Sequence, residues 1–184
     1  MPRSTPSALL LVDGYNVVGC WHEMKKIRQM DGLEAARRRL TEALINYSAY
    51  QGYETRIVFD AQYRDCPSNR EVITPDVSVW YTDFGQTADT LIEKTCAAYR
   101  NDLRKFHAKL LVATNDSAQR NTVVGYGAIC LSVEELAAEV DQIALKVQQR
   151  PKTNKRSTNR LLSHSLDPIA HQRLSAMRFG KPLH

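Results

Sequence analysis

Long apolar runs are missing from this chain. The first, Ala8–Val12, has five residues before Asp13, against the roughly 20 needed to span a bilayer. The segment ahead of it, MPRSTPS, supplies no signal-peptide core, so neither export nor membrane insertion is predicted. Metal-finger cysteine spacing is also lacking. Cys20, Cys66, Cys96 and Cys130 form no C-x-x-C pair, and Cys20 with His22 makes only a weak C-x-H. That predicts four reduced thiols in a reducing compartment, a cytoplasm or an organelle stroma. There is no tandem repeat and no G-x-x-x-x-G-K-[ST] phosphate loop, which disfavours a nucleotide-triphosphate switch.

Acids are scarce at one end. From Lys146 to His184 nine Lys and Arg face one acid, Asp167, a net charge of +8, while the preceding residues carry −3. A mildly acidic body with a basic tail points to a polyanionic partner, with nucleic acid ahead of a merely solubilising tail. Within that tail, Pro151–Arg160 reads PKTNKRSTNR, which is linker-like. A short helix is predicted from about Asp167 to Met177. The division is therefore a domain over 1–150 and a basic segment over 151–184.

What is present is an alternation of short apolar runs and amphipathic stretches. ALLLVD (Ala8–Asp13), RIVFD (Arg56–Asp60), VSVWYT (Val77–Thr82) and KLLVAT (Lys109–Thr114) read as strands covered on both faces. Ala128–Leu131 reads as a smaller strand. Helices are predicted at about Gly32–Gln51, capped by Asp31 and ended by Gly52; from Thr87 to about Asp102; at Ser117–Val124; and from a Ser132/Glu135 capping box to about Gln149. Leu91, Cys96 and Tyr99 are the candidates for the buried side of the second helix. Ala61–Pro75 is predicted to be a loop. The order predicts an α/β fold, a three-layer α/β/α sandwich with a mainly parallel sheet.

An acid follows each major apolar run. Asp13 ends LLLVD, Asp60 ends IVFD, Asp116 follows LLVATN, and Asp89 lies in the first turn after VSVWYT. A parallel sheet gathers such positions at one edge, where α/β proteins bind ligands. Carboxylates collected there repel one another unless a cation neutralises them, and hard oxygen donors suit Mg2+ or Mn2+. Each acid also has a structural reading, as a turn residue, an Asx turn, a helix N-terminus or a cap; it is four in equivalent positions that favour the metal. Asp13-Gly14-Tyr15-Asn16 reads as a tight turn whose Asn16 amide reaches back as a ligand or a hydrogen-bond partner. A haloacid-dehalogenase-type phosphatase is disfavoured, because Tyr15 stands where its second aspartate belongs.

LLLVDGYNVVGCW (Leu9–Trp21), IVFDA (Ile57–Ala61), YTDFGQTADTLIEK (Tyr81–Lys94) and LVATNDSAQR (Leu111–Arg120) together resemble the NYN-domain nucleases of the YacP-like branch, within the PIN/flap-nuclease-like fold. The resemblance runs from about Ala8 to Val147. It implies an Mg2+- or Mn2+-dependent endoribonuclease with metal-binding acids at Asp13, Asp60, Asp89 and Asp116, and with Asn16 supporting Asp13. Glu93 lies one turn beyond Asp89, within reach of a metal shell through water. Asn115 stands where many relatives have serine. The resemblance also implies a ribosome-associated enzyme that cuts translated mRNA, using a water activated by the metal and leaving 3′-hydroxyl and 5′-phosphate ends.

Candidate phosphate contacts are Arg64, Arg70, Arg100, Arg104, Lys105 and Arg120, with Lys152, Lys155, Arg156 and Arg160 in the tail anchoring mRNA or rRNA. Tyr15, Trp21 and Tyr63 are candidates to stack on unpaired bases. His22 and His107 have no partner visible in sequence. The alternative is a non-catalytic RNA- or ribosome-binding module that keeps a structural cation.

Overall fold

The chain carries its central strand near its start. In the computed structural model, which describes residues 5–60 and 69–149, β1 (Ala8–Asp13) is buried along its whole length. Leu10 and Val12 face one helical layer, while Leu9 and Leu11 face the other. Continuous apolarity is what a strand covered on both sides requires.

Three helices follow β1 on one face: α1 (Gly14–Cys20), α2 (His22–Asp31) and α3 (Leu33–Gln51). The sequence predicted only the third. Asp13 is not a turn residue but the N-cap of α1, accepting the backbone N–H of Asn16 at 3.1 Å. Trp21 has extended backbone, ends α1 and starts α2. Its ring is buried in the core rather than offered for stacking. Asp31 ends α2, and Gly32 rather than Asp31 stands at the N-cap of α3. At helical spacing α3 buries Ala36, Leu40, Leu44 and Tyr47, while Leu33 at its start is half-buried.

The chain then runs through β2 (Tyr53–Phe59), β3 (Asn69–Val72), β4 (Val77–Tyr81), α4 (Ala88–Tyr99), a 3-10 turn (Leu103–Phe106), β5 (Lys109–Ala113), α5 (Ser117–Gly125), β6 (Ile129–Leu131) and α6 (Val133–Gln149). The sheet order is β3-β4-β2-β1-β5-β6, and among the described residues only the β3–β4 pair is antiparallel. β3 corrects the reading of Ala61–Pro75 as loop throughout: its four residues pair antiparallel with β4, a contact that no local pattern announces. α4 buries Ala88, Ile92, Cys96 and Tyr99, and Leu91 is only half-buried.

Residues of α1, α2, α3 and α6 pack on one face of the sheet and those of α4 and α5 on the other, which gives the expected three layers. The capping box of α6 is present: Ser132 Oγ accepts the Glu135 N–H at 3.2 Å, and Glu135 accepts the Ser132 N–H at 2.8 Å. No described helix is long and apolar enough to cross a membrane. The basic segment 151–184, with its predicted short helix, lies outside the described residues, as do Tyr63, Arg64 and Cys66.

Candidate active site

Parallel pairing brings the ends of β1, β2, β4 and β5 to the same edge of the sheet. After β1, the chain places β2 and β4 to one side of it and β5 to the other. This is the kind of switch point at which α/β sheets open a crevice. Asp13 ends β1, Asp60 follows β2, Asp89 is the second residue of α4, and Asp116 follows β5 as the N-cap of α5.

Each acid is held by an N–H from the protein. Asp13 accepts from Asn16, and Asp60 accepts from the backbone of Ala88, which ties β2 to the start of α4. Asp116 accepts the N–H groups of Ala118 and Gln119 at 2.8 and 3.0 Å. Gln119 also turns its side-chain amide to Asp89. It is 2% exposed, and its Oε1 is buried without a partner among the described residues. One glutamine therefore bridges two acids. Sequence reasoning missed it; the available signal was its place three residues after a capping aspartate.

The electrostatics record how the acids are gathered. Burial pushes Asp13 up to about 6, with the charges of Asp89, Asp60 and Asp116 adding to the rise and the Asn16 N–H opposing it. Asp89 is also raised, first by burial and then by Asp116, Asp60 and Glu93. Among the described residues, no three His, Cys, Asp or Glu side chains close around a single point where they could hold a metal ion.

Asn16 does more than the turn reading allowed. Its Oδ1 accepts the Asn115 N–H at 2.8 Å. Asn115 in turn accepts from the Val133 N–H at 2.8 Å and donates to Glu134. The junctions β1–α1, β5–α5 and β6–α6 are thereby latched together. Below them, Gly14 lies against the buried ring of Phe59, where a Cβ would meet the ring at 2.2 Å. Phe59 contacts the Tyr15 ring edge-on, and Arg37 lies over Phe59 and Tyr81 with its Nη1 reaching the Tyr15 hydroxyl at 3.4 Å.

The other described candidates are divided between the two edges of the sheet. Arg100, Arg104 and Lys105 follow the C-terminal end of α4, near the start of β5 and so at the opposite edge from the acids. Arg104 is paired there with Asp102 and Glu54. His107 is exposed at that far edge, and His22 is exposed at the start of α2. Arg70 lies over the ring of Trp80. Arg120 is exposed on α5, within the first turn after Asp116. Lys152, Lys155, Arg156 and Arg160 lie outside the described residues. An apolar cavity of about 350 Å³, lined by Leu9, Tyr99, Leu103 and Phe106 among others, also opens at the far edge, away from the acids.

The family profile of the YacP-like NYN domain matches residues 10–179 of this chain. The chain belongs to the YacP-like NYN family. It is 33% identical over 142 residues to the uncharacterized protein YacP of Bacillus subtilis strain 168, a match covering 77% of this chain and 80% of the relative. It is also similar to two crystal structures of Rae1 (YacP) from Bacillus subtilis. A single-substitution variant matches with a TM-score of 0.63 at 30% identity, covering 90% of this chain and 88% of that one. A second Rae1 structure gives 0.61 at 28% identity, covering 94% and 92%. The six-stranded, mostly parallel sheet flanked by helices is thus the PIN-like fold of YacP-like NYN proteins, a nuclease-type fold, as the motifs implied.

Proposed function

We propose that this protein is a divalent-cation-dependent endoribonuclease. The observation that carries the reading is the convergence of Asp13, Asp60, Asp89 and Asp116, from four separate strand–helix junctions, on one sheet edge. Family membership supports it.

The donor set suits Mg2+ or Mn2+. All four groups are hard oxygen donors, and the mutual repulsion felt at Asp13 and Asp89 is what a cation would relieve. Mg2+ commonly keeps several waters and takes only one or two carboxylates directly. Such an ion, when bound, stabilises negative charge on a phosphate and makes water a stronger nucleophile.

The chain's own residues set the geometry. Ala88 N–H and Gln119 fix the direction of Asp60 and Asp89. The N-termini of α4 and α5 point at the same edge, where their dipoles favour a phosphodiester. Tyr15 and Arg120 are the RNA contacts proposed near that edge, and Arg64, outside the described residues, is proposed as a further phosphate contact. Lys152, Lys155, Arg156 and Arg160 supply the sequence-independent attraction of a basic tail. The proposed substrate is mRNA engaged with the ribosome in the cytoplasm.

The test is 5′-end mapping of an mRNA in a purified translation reaction containing Mg2+. Wild-type protein is compared with Asp89→Asn, with and without a translation inhibitor. The expected result is inhibitor-sensitive cuts, abolished by EDTA and reduced roughly 100-fold or more in the variant. Cuts that persist with the inhibitor place the substrate off the ribosome. No cuts, with RNA binding retained, overturn the enzyme reading in favour of a binding module.

A further inference from the structure

Phe84 is 93% exposed, more than any other large apolar side chain among the described residues. Single exposed apolar residues are ordinary; the place and the support of this one are not. It sits between β4 and α4, on the segment that leads from the sheet into Asp89.

That segment is pinned. The Thr82 N–H continues the sheet by donating to the Phe59 carbonyl at 3.1 Å, and Thr82 is buried. Its hydroxyl donates to the Gln86 carbonyl at 2.8 Å, and the Gln86 N–H donates to the Asp83 carbonyl at 2.9 Å. Gly85 has φ +82, a conformation that favours glycine, and the space where its Cβ would stand is open. The turn therefore holds Phe84 outward, next to a residue with no side chain. Two residues after Gln86, the Ala88 N–H donates to Asp60. An ordered turn joined to two of the four acids thus presents a bare aromatic face to solvent.

We propose that Phe84 forms a nucleobase subsite, stacking on one unpaired base of the RNA strand beside the acids. The inference rests on the endoribonuclease reading and adds to it that the strand is single-stranded at this point. A π-face with no hydrogen-bonding partner of its own selects for unpaired bases in general and not for one base. Asp83 alongside carries negative charge, so the contact is to a base rather than to a phosphate.

The test uses the full chain carrying Asp89→Asn to prevent cutting, and a single-stranded RNA with one 2-aminopurine scanned through its length. At one position, binding should quench the fluorescence. Adding Phe84→Ala should remove that quench and weaken binding by roughly 5- to 100-fold, and Phe84→Trp or Phe84→Tyr should restore both. A fully paired RNA of the same sequence should not distinguish Phe84→Ala from its parent. With Asp89 intact, Phe84→Ala should raise KM while kcat stays within about two-fold. Cleavage by wild-type protein with unchanged quench and KM in Phe84→Ala overturns the subsite and leaves the nuclease reading standing. Position-specific quenching that Phe84→Ala removes, without cleavage by the wild type, overturns the nuclease reading and leaves the subsite standing. Equal weakening on paired and unpaired RNA overturns stacking.

Discussion

Gln119 donates its side-chain amide to Asp89 across the gap between α5 and α4, while its backbone N–H donates to Asp116. The side chain is buried, so its orientation does not drift with solvent. Hydrogen bonds to charged groups contribute ~1.5–3 kcal/mol. Replacing Gln119 with Leu removes the donor and keeps the volume. Cleavage at limiting Mg2+ should fall by roughly 10-fold or more, with partial recovery at high Mg2+. A Mg2+ titration of RNA cutting by the two proteins checks this; superimposable curves would show that the link has no role in the site.

Asp13 sets a pH dependence of stability. Its folded value of about 6 lies above the ordinary carboxylate value of 3.8, so the folded chain binds this proton more tightly than the unfolded chain. The associated stabilisation is fully present below pH 3.8 and is lost as the pH rises through 6. At pH 7.5 the ionised group costs about 3 kcal/mol. Asparagine caps a helix as well as aspartate does. Asp13→Asn should therefore stabilise the protein in EDTA at pH 7.5 by ~1–3 kcal/mol, with the gain fading toward pH 4. Urea unfolding at both pH values measures it, and a gain independent of pH would contradict the assignment.

Gly14 and Phe59 make a steric prediction. The ring is fully buried and is held by Tyr15, Tyr81 and Arg37, so it cannot yield to a methyl group 2.2 Å away. Gly14→Ala should destabilise the fold by ~1–3 kcal/mol, although alanine is the better helix former. Phe59→Leu should cost stability alone and yet lessen the cost of Gly14→Ala. A double-mutant cycle by thermal unfolding reads that coupling, and strict additivity would refute the clash.

Tyr47 offers a control remote from the edge that holds the acids. Its hydroxyl donates to Glu139 at 2.6 Å, joining α3 to α6. Tyr47→Phe should lower stability by ~1–2 kcal/mol and leave the rate of RNA cleavage unchanged at temperatures where the variant is folded. Paired melting and cleavage assays make the comparison.

The elements legible in sequence were those whose cause is local. A strand buried on both faces has to be apolar throughout, and Ala8–Val12 is. The Ser132/Glu135 box and the Thr87 cap each lie within one helical turn. Asp13-Gly14 misled because aspartate before glycine serves turns and helix starts equally well; the requirement for glycine comes from Phe59, 45 residues along. The antiparallel partner of β4 was missed for a similar reason, since Asn69–Val72 is defined by its pairing and not by a pattern of its own. The four acids were found because equivalent topological positions repeat along the chain. The amide that bridges two of them was not, because its partner Asp89 is 30 residues away.

The hydrogen bond from Asn115 to Asn16 closes a loop of 99 residues. Contacts of such separation form late, after the intervening chain has lost its freedom. During synthesis, Asp116 follows Asp13 by more than a hundred residues. A growing chain that has not yet reached Asn115 lacks both the latch and the fourth carboxylate. The edge therefore cannot be completed until synthesis has passed Asp116.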